Sequence, residues 1–130
     1  MQKSATVALI SSNKLLLLKR GDSAPWSPGK YCLPGGKLED NEELIDCAVR
    51  ELYEETNIVL KSNQLIPLTI RYPKYSKVIF VCNKDISYSV NLNWEHSDFI
   101  WTNYKDACYI SMVPGLETTI KTLCHWGYLI

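Results

Sequence analysis

The stretch Gly36-Lys37-Leu38-Glu39-Asp40-Asn41-Glu42, resumed after seven residues by Arg50-Glu51-Leu52-Tyr53-Glu54-Glu55-Thr56-Asn57-Ile58, decides the reading of this chain. A helix starting just after Asp40 or Asn41, both good N-cap residues with no proline behind them, carries Glu51, Glu54 and Glu55 in its last turn. At about 100° per residue, Glu54 lies roughly 60° to one side of Glu51 and Glu55 about 40° to the other, so three carboxylates share one narrow stripe. Leu44, Ile45, Ala48, Val49 and Leu52 fill the adjoining sector, which sets the stripe beside the buried face, while Asp46, Arg50 and Tyr53 point away. An ordinary solvated helix places acids in its first turn and bases in its last, because the C-terminal carbonyls are partially negative. This helix does the reverse. Arg50 reaches Glu54 four residues on, in the weaker orientation, and Glu51 and Glu55 have no basic partner on the helix. Repulsion among the acids, added to an unfavourable dipole end, calls for an outside cation, and all-oxygen ligands select a hard one such as Mg²⁺ or Mn²⁺.

These residues resemble the Nudix box, the signature of the Nudix hydrolases: a glycine, five residues, a glutamate, seven residues, Arg-Glu, an aliphatic, any residue, Glu-Glu, any residue, a glycine and an aliphatic. Gly36, Glu42, Arg50, Glu51, Leu52, Glu54, Glu55 and Ile58 match in type and spacing. Asn57 stands where the family has glycine, and asparagine is the residue that best tolerates the left-handed conformation that ends a helix there. The resemblance implies cleavage of a phosphoanhydride by metal-activated water, with Glu51 and Glu55 as metal ligands joined by the Gly36 carbonyl. It makes Glu54 the ligand of a further metal or the base that takes the proton from water. Arg50 is counted with the catalytic residues and, like Glu42, forms an orienting salt bridge beside the acids. Glu95, just ahead of Phe99-Ile100-Trp101, resembles a loop glutamate that completes the metal site or acts as base, with Asp98 in reserve. Glu54 and Glu95 stand as alternative bases.

At 130 residues and 46% hydrophobic content the chain fits one compact domain over residues 1–130. Fourteen basic residues balance fourteen acidic ones, which removes the electrostatic footprint of a nonspecific nucleic-acid or acidic-membrane binder. No long apolar run or signal-peptide pattern opens the chain, so a soluble, cytoplasmic protein is expected, monomer or homodimer. Cys32, Cys47, Cys82, Cys108 and Cys124 are odd in number, scattered and free of any CxxC pair; reduced thiols are the economical reading.

Along the chain, Ala5 to Ile10 and Leu15 to Lys19 read as a hairpin whose second strand, apolar on both faces, is central. Gly21 to Lys30 is a loop, Tyr31-Cys32-Leu33 a short strand, and Pro34-Gly35-Gly36 a turn into the acidic helix. Gln64 to Arg71, Lys77 to Cys82 and Phe99 to Trp101 read as strands, Tyr104 to Cys108 as a short helix, and the chain from Pro114 to about Trp126 as a longer one. The pattern predicts an α+β domain, an α/β/α sandwich around a mixed sheet, which the Nudix resemblance also implies.

The substrate side is assembled from residues outside the box. Trp26, in the loop Ala-Pro-Trp-Ser-Pro-Gly, is the foremost face for stacking a base, followed by Tyr31, Tyr72 and Trp101. Arg20 resembles a family position that holds phosphate or sugar, and Lys37, beside Gly36, is within reach of a phosphate. Pro73, 15 residues past Ile58, resembles an ADP-ribose marker, and Tyr75, at 17, a diadenosine-polyphosphate marker; the two cancel. The expected function is a Mg²⁺-dependent pyrophosphohydrolase of a nucleoside triphosphate or another nucleoside diphosphate derivative, taking a small nucleotide rather than an RNA body. The alternatives are a nucleotide-sugar hydrolase of ADP-ribose or GDP-mannose type, and a non-catalytic nucleotide-sensing module.

Overall fold

The computed structural model describes residues 1–130. The elements run β1 (Ser4–Ser11), β2 (Lys14–Arg20), β3 (Tyr31–Cys32), β4 (Gly35–Lys37), α1 (Leu44–Thr56), a 3₁₀ turn (Ser62–Gln64), β5 (Ile66–Arg71), β6 (Ser76–Asn83), β7 (His96–Thr102), α2 (Tyr104–Ala107) and α3 (Leu116–His125). The strands order as β3-β2-β1-β6-β5, with β4 on β1 and β7 on β2. Only β1 and β6 are parallel among these strand pairs, so the sheet is mixed as expected.

Successive residues of a strand face opposite sides of the sheet, and the apolar runs of β1, β2 and β6 use this to build two cores. Val7, Leu9, Leu16, Leu18, Phe80 and Cys82 pack against Cys47, Ala48 and Leu52 of α1. Ala8, Ile10, Leu15, Leu17, Ile79 and Val81 pack toward Leu116, Ile120 and Leu123 of α3. Every leucine from Leu15 to Leu18 is fully buried, which is why β2 carries no polar alternation. Each such side chain stabilises by about 1.5–3 kcal/mol on leaving water. The result is helix, sheet, helix: the α/β/α sandwich.

The strand expected from Gln64 starts at Ile66, and that expected over Phe99 to Trp101 extends from His96 to Thr102. Three further departures from the sequence expectation bear on the site. The acidic helix begins at Leu44, not after Asp40 or Asn41, because Asn41 sits at φ 63° in a turn closed by Glu42 N–H donating to the Glu39 carbonyl (3.1 Å). Gly35 and Gly36 are not a turn but strand β4, paired antiparallel with Ser4–Thr6; a Cβ on Gly35 would collide with the Ala5 carbonyl, so only glycine brings the two strands together. The last helix starts at Leu116, because Gly115 at φ 88° reverses the chain after Pro114. The end of α1 follows expectation. Asn57 takes the left-handed conformation (φ 64°) and its N–H donates to the Tyr53 carbonyl at 2.8 Å. All five cysteines are free thiols.

Candidate active site

The last turn of α1 lies against β4, and the three carboxylates of that turn face three different environments. Glu55 is 2% exposed and accepts one hydrogen bond, from the Gly35 N–H at 2.9 Å. Burial pushes its carboxyl up to about 9, against the pull of that bond, and the charges of Glu95, Glu51 and Glu54 add to the rise. Glu51 is also raised, chiefly by burial, although Arg50 opposes the shift. Glu54 stays largely in solvent, with 45% of its side chain exposed. Gly36 closes the group: a Cβ there would stand 2.5 Å from the Glu51 carboxylate, so the missing side chain is what lets main chain and acid lie side by side. Its carbonyl accepts from the Cys47 thiol at 3.4 Å, which leaves a second lone pair.

Arg50 corrects the helix-wheel reading. It does not point away, and Glu51 does have a basic partner on the helix. Its Nε and Nη2 clasp Glu42 at 2.8 and 2.9 Å, Nη1 donates to Glu51 at 3.0 Å and to Glu54 at 3.1–3.2 Å, and Nη2 reaches the Lys37 carbonyl at 3.0 Å. One guanidinium therefore ties the 37–42 loop to two acids of the helix end, using a fork of donors that a lysine lacks. The bonds from Arg50 hold the Glu42 carboxyl down at about 2. Glu42 in turn accepts from the Glu39 N–H at 3.0 Å, so it fixes the turn that precedes α1.

No three carboxylate, histidine or cysteine side chains converge as a finished metal cage, because Glu51 and Glu54 turn toward Arg50 and Glu55 toward Gly35. The residues nonetheless fit a hard divalent cation. The available donors are all oxygen, and a buried carboxyl pushed up to about 9 is the kind of group whose charged form a cation would restore. Glu95 lies on an exposed loop where Asn93 holds it at both ends, its N–H donating to Asn93 Oδ1 (3.1 Å) and its Oε1 accepting from Asn93 Nδ2 (3.2 Å). Its charge acts on Glu55 more strongly than that of Glu51 or Glu54, so it belongs to the same electrostatic centre.

On the other side of β4 a cavity of about 210 Å³ opens between the sheet and the start of α3, lined in part by Gly35, Gly36, Arg20 and Trp26. Arg20 Nε donates to the Trp26 carbonyl at 2.6 Å, and its guanidinium stands 5.3 Å from the Trp26 ring centroid, so the half-exposed indole is braced. Two expected contributors lie elsewhere. Tyr31 packs with the core on the α3 side, its strand bridging Met112, and does not line the cavity. Lys37 is exposed, and its role here is the carbonyl that Arg50 binds. Tyr72 stacks on Tyr75 at 4.6 Å and bonds Thr119 at 3.2 Å, while Trp101 stacks near Tyr88. Sequence reasoning missed Lys77, which lines the cavity from β6, and the buried pair Cys32 and His96, whose Sγ and Nε2 lie 3.7 Å apart on its wall. None of these sits in a motif; only the fold brings them to one place.

A family model for the NUDIX domain matches residues 1–123. Nucleoside triphosphatase NudI of Escherichia coli O81 (strain ED1a) is 26% identical over 92% of this chain and 95% of its own length. The m7GpppN-mRNA hydrolase NUDT17 of Danio rerio is 42% identical over 45% of this chain; the match spans only 20% of that relative's length. Among solved structures, a bifunctional NMN adenylyltransferase/ADP ribose pyrophosphatase from Francisella tularensis, complexed with AMP and a manganese ion, superposes with a TM-score of 0.77 at 25% identity, covering 95% of this chain and 41% of that one. A glycine strand pressed against a helix that ends in buried acid is thus accounted for by descent as well as by electrostatics: the chain belongs to the NUDIX domain family.

Proposed function

We propose that this domain is a divalent-metal-dependent pyrophosphohydrolase that cleaves a phosphoanhydride of a nucleoside triphosphate or another nucleoside diphosphate derivative, with Mg²⁺ as the working ion and Mn²⁺ as a substitute. The observation that carries the reading is Glu55, a carboxyl 2% exposed whose side chain has the Gly35 N–H as its only partner, pushed up to about 9 by burial and by the charges of Glu95, Glu51 and Glu54. A stability role does not account for such a group, since a buried acid with one hydrogen bond is costly.

Glu51, Glu55 and the Gly36 carbonyl would hold the cation, with Glu54 or Glu95 beside it. When bound, the ion supplies neutralisation of charge on the phosphoryl oxygens and lowers the pKa of water toward neutrality. Arg50 ties Glu51 and Glu54 together at the helix end, so both acids stay beside the place where the cation would sit. Proton removal from the attacking water falls to Glu54 or Glu95, both exposed enough to pass the proton on to solvent. Arg20 and Trp26 would receive phosphate and base on the cavity side. NudI, which aligns over nearly its whole length, supports a triphosphate as substrate. The Francisella protein supports a nucleotide-sugar alternative, in which water attacks phosphorus or a sugar carbon. Hydrolysis in ¹⁸O water separates those two by showing where the label resides.

The decisive test replaces Glu54 or Glu55 by glutamine. Either change is expected to lower kcat by about 10²- to 10⁴-fold with Mg²⁺ while circular dichroism and cooperative melting stay intact. Near wild-type turnover in a folded variant removes the proposal. If the unaltered protein turns over nothing in a panel of triphosphates, nucleotide sugars and dinucleoside polyphosphates, the sensing-module reading replaces it.

A further inference from the structure

The cavity behind β4 has a charge pattern opposite to that of the acidic centre. Its wall carries two cations, Arg20 and Lys77, and no carboxylate. Arg20 is already engaged by the Trp26 carbonyl and ring. Lys77 is not. The ion pairs of the molecule are made by Arg50 and Lys121 and leave Lys77 out. Its Nζ faces the ring of Tyr72, 5.8 Å from the centroid. The side chain is half-buried, and burial pulls its ammonium below the ordinary lysine value.

Its position follows from the sheet. Lys77 is the second residue of β6, opposite Ile70, and lies in phase with Ile79 and Val81, whose side chains enter the α3-side core. The same alternation that buries those two directs Lys77 to the edge of that core, where the cavity begins. Ser4 and Thr6 of β1 and Thr119 of α3 line the same cavity and add hydroxyl groups. A partly desolvated ammonium with three donors and no anionic partner, among hydroxyls and without an acid, is complementary to an anionic oxygen. At about 210 Å³ the cavity is smaller than the roughly 300–1,000 Å³ that encloses a whole ligand, so it suits one end of the ligand while the anhydride lies over the acidic centre.

We propose that Lys77 is a specificity-determining residue that binds a second anionic group of the substrate, a phosphate or a carboxylate, distinct from the anhydride held at the acidic centre. The preferred substrate is then a nucleotide derivative charged at both ends. The inference rests on the pyrophosphohydrolase reading for the first of those ends, and on separate residues for the second.

The test compares wild type, Lys77→Gln and Lys77→Arg by calorimetry in EDTA, where no turnover occurs. The ligands, in adenosine and guanosine series, are the 5′-monophosphate, the 3′,5′-bisphosphate and the 5′-monophosphate carrying a 3′-O-succinyl carboxylate. Wild type is expected to bind a doubly anionic ligand about 10- to 100-fold more tightly than the monophosphate. Lys77→Gln should erase that preference and Lys77→Arg keep part of it. The arm that gains, bisphosphate or succinate, tells phosphate from carboxylate. An unchanged preference in Lys77→Gln, or none in wild type, overturns the proposal. Rates on the 5′-diphosphates with Mg²⁺ are then read separately. A Lys77-dependent binding preference without hydrolysis retains the anion subsite and removes the hydrolase reading; hydrolysis without the preference does the opposite.

Discussion

The acidic centre and the cavity behind it share strand β4 but are built on different principles. The centre comes from Gly36, Glu42, Arg50, Glu51, Glu54 and Glu55, all within one short stretch whose geometry a helix and one strand largely determine. The cavity gathers Arg20 from β2, Lys77 from β6, His96 from β7 and Thr119 from α3, residues that meet only because three strands and a helix have packed. Charge divides the same way: on the α1 side four acids gather around Arg50, whereas the cavity wall carries Arg20 and Lys77 and no carboxylate. Chemistry that tolerates little variation is held locally, and the part that selects a ligand is spread over the fold.

Disturbing the shared strand should separate the two regions most sharply. Gly36→Ala places a Cβ against the Glu51 carboxylate, a flexible side-chain end that can move aside; kcat/KM is expected to fall by about 100-fold with a modest loss of stability. Gly35→Ala meets the Ala5 backbone, which has no room to retreat, so it should lower the melting temperature before any rate is read. If both variants melt alike and differ little in rate, β4 does not divide the molecule in this way.

On the cavity side, Trp26→Ala is expected to raise KM by about tenfold for nucleotides while leaving kcat nearly unchanged. A fall in kcat with KM unaltered would move Trp26 from ligand contact to the reacting centre.

The acidic centre also predicts how stability depends on pH. Burial pushes the Glu55 carboxyl up to about 9 in the folded chain against 4.5 for an ordinary glutamate, so between those values the folded state holds a proton that the unfolded state releases. The Glu55 contribution is therefore fully present below about pH 4.5 and is lost as pH rises through about 9. In EDTA, melting temperature should drop from pH 5 to pH 9 by several degrees more in wild type than in Glu55→Gln. Millimolar Mg²⁺ should restore it at the alkaline end in wild type only. A parallel pH profile in both proteins would mean that Glu55 does not titrate in this range.

The smallest effect belongs to the residue that departs from the family pattern. Asn57→Gly should alter stability by no more than about 0.5 kcal/mol, whereas Asn57→Ala, with φ at 64°, should cost about 1–2 kcal/mol. Chemical denaturation measures both, and equal values for the two would show that helix termination does not rest on this conformation.

Much of the molecule was legible before the structure. The apolar run from Ala5 to Ile10, the continuous leucines of β2 and the helical spacing of Leu116, Ile120 and Leu123 forecast a two-sided sheet between helices, because burial leaves its trace in any one chain. Arg50 was misplaced because a helix wheel reports where a side chain leaves the backbone, and a guanidinium on a long stem ends elsewhere. Gly35 and Gly36 read as a turn because their partners, Ser4 to Thr6, lie some thirty residues away.

What the sequence determined by itself is the proximity of Glu51, Glu54 and Glu55, since the spacing of a helix admits no other outcome, and the left-handed stop at Asn57. What only the tertiary structure decided is how differently those three acids live: Glu55 sealed under β4, Glu51 half-buried and bound to Arg50, Glu54 bound to Arg50 but open to solvent. It also decided that Lys77 and Arg20 would line one acid-free cavity. The physical reason is the same for both. Spacing fixes direction along one element, but burial and charge depend on what the rest of the chain brings to the other side.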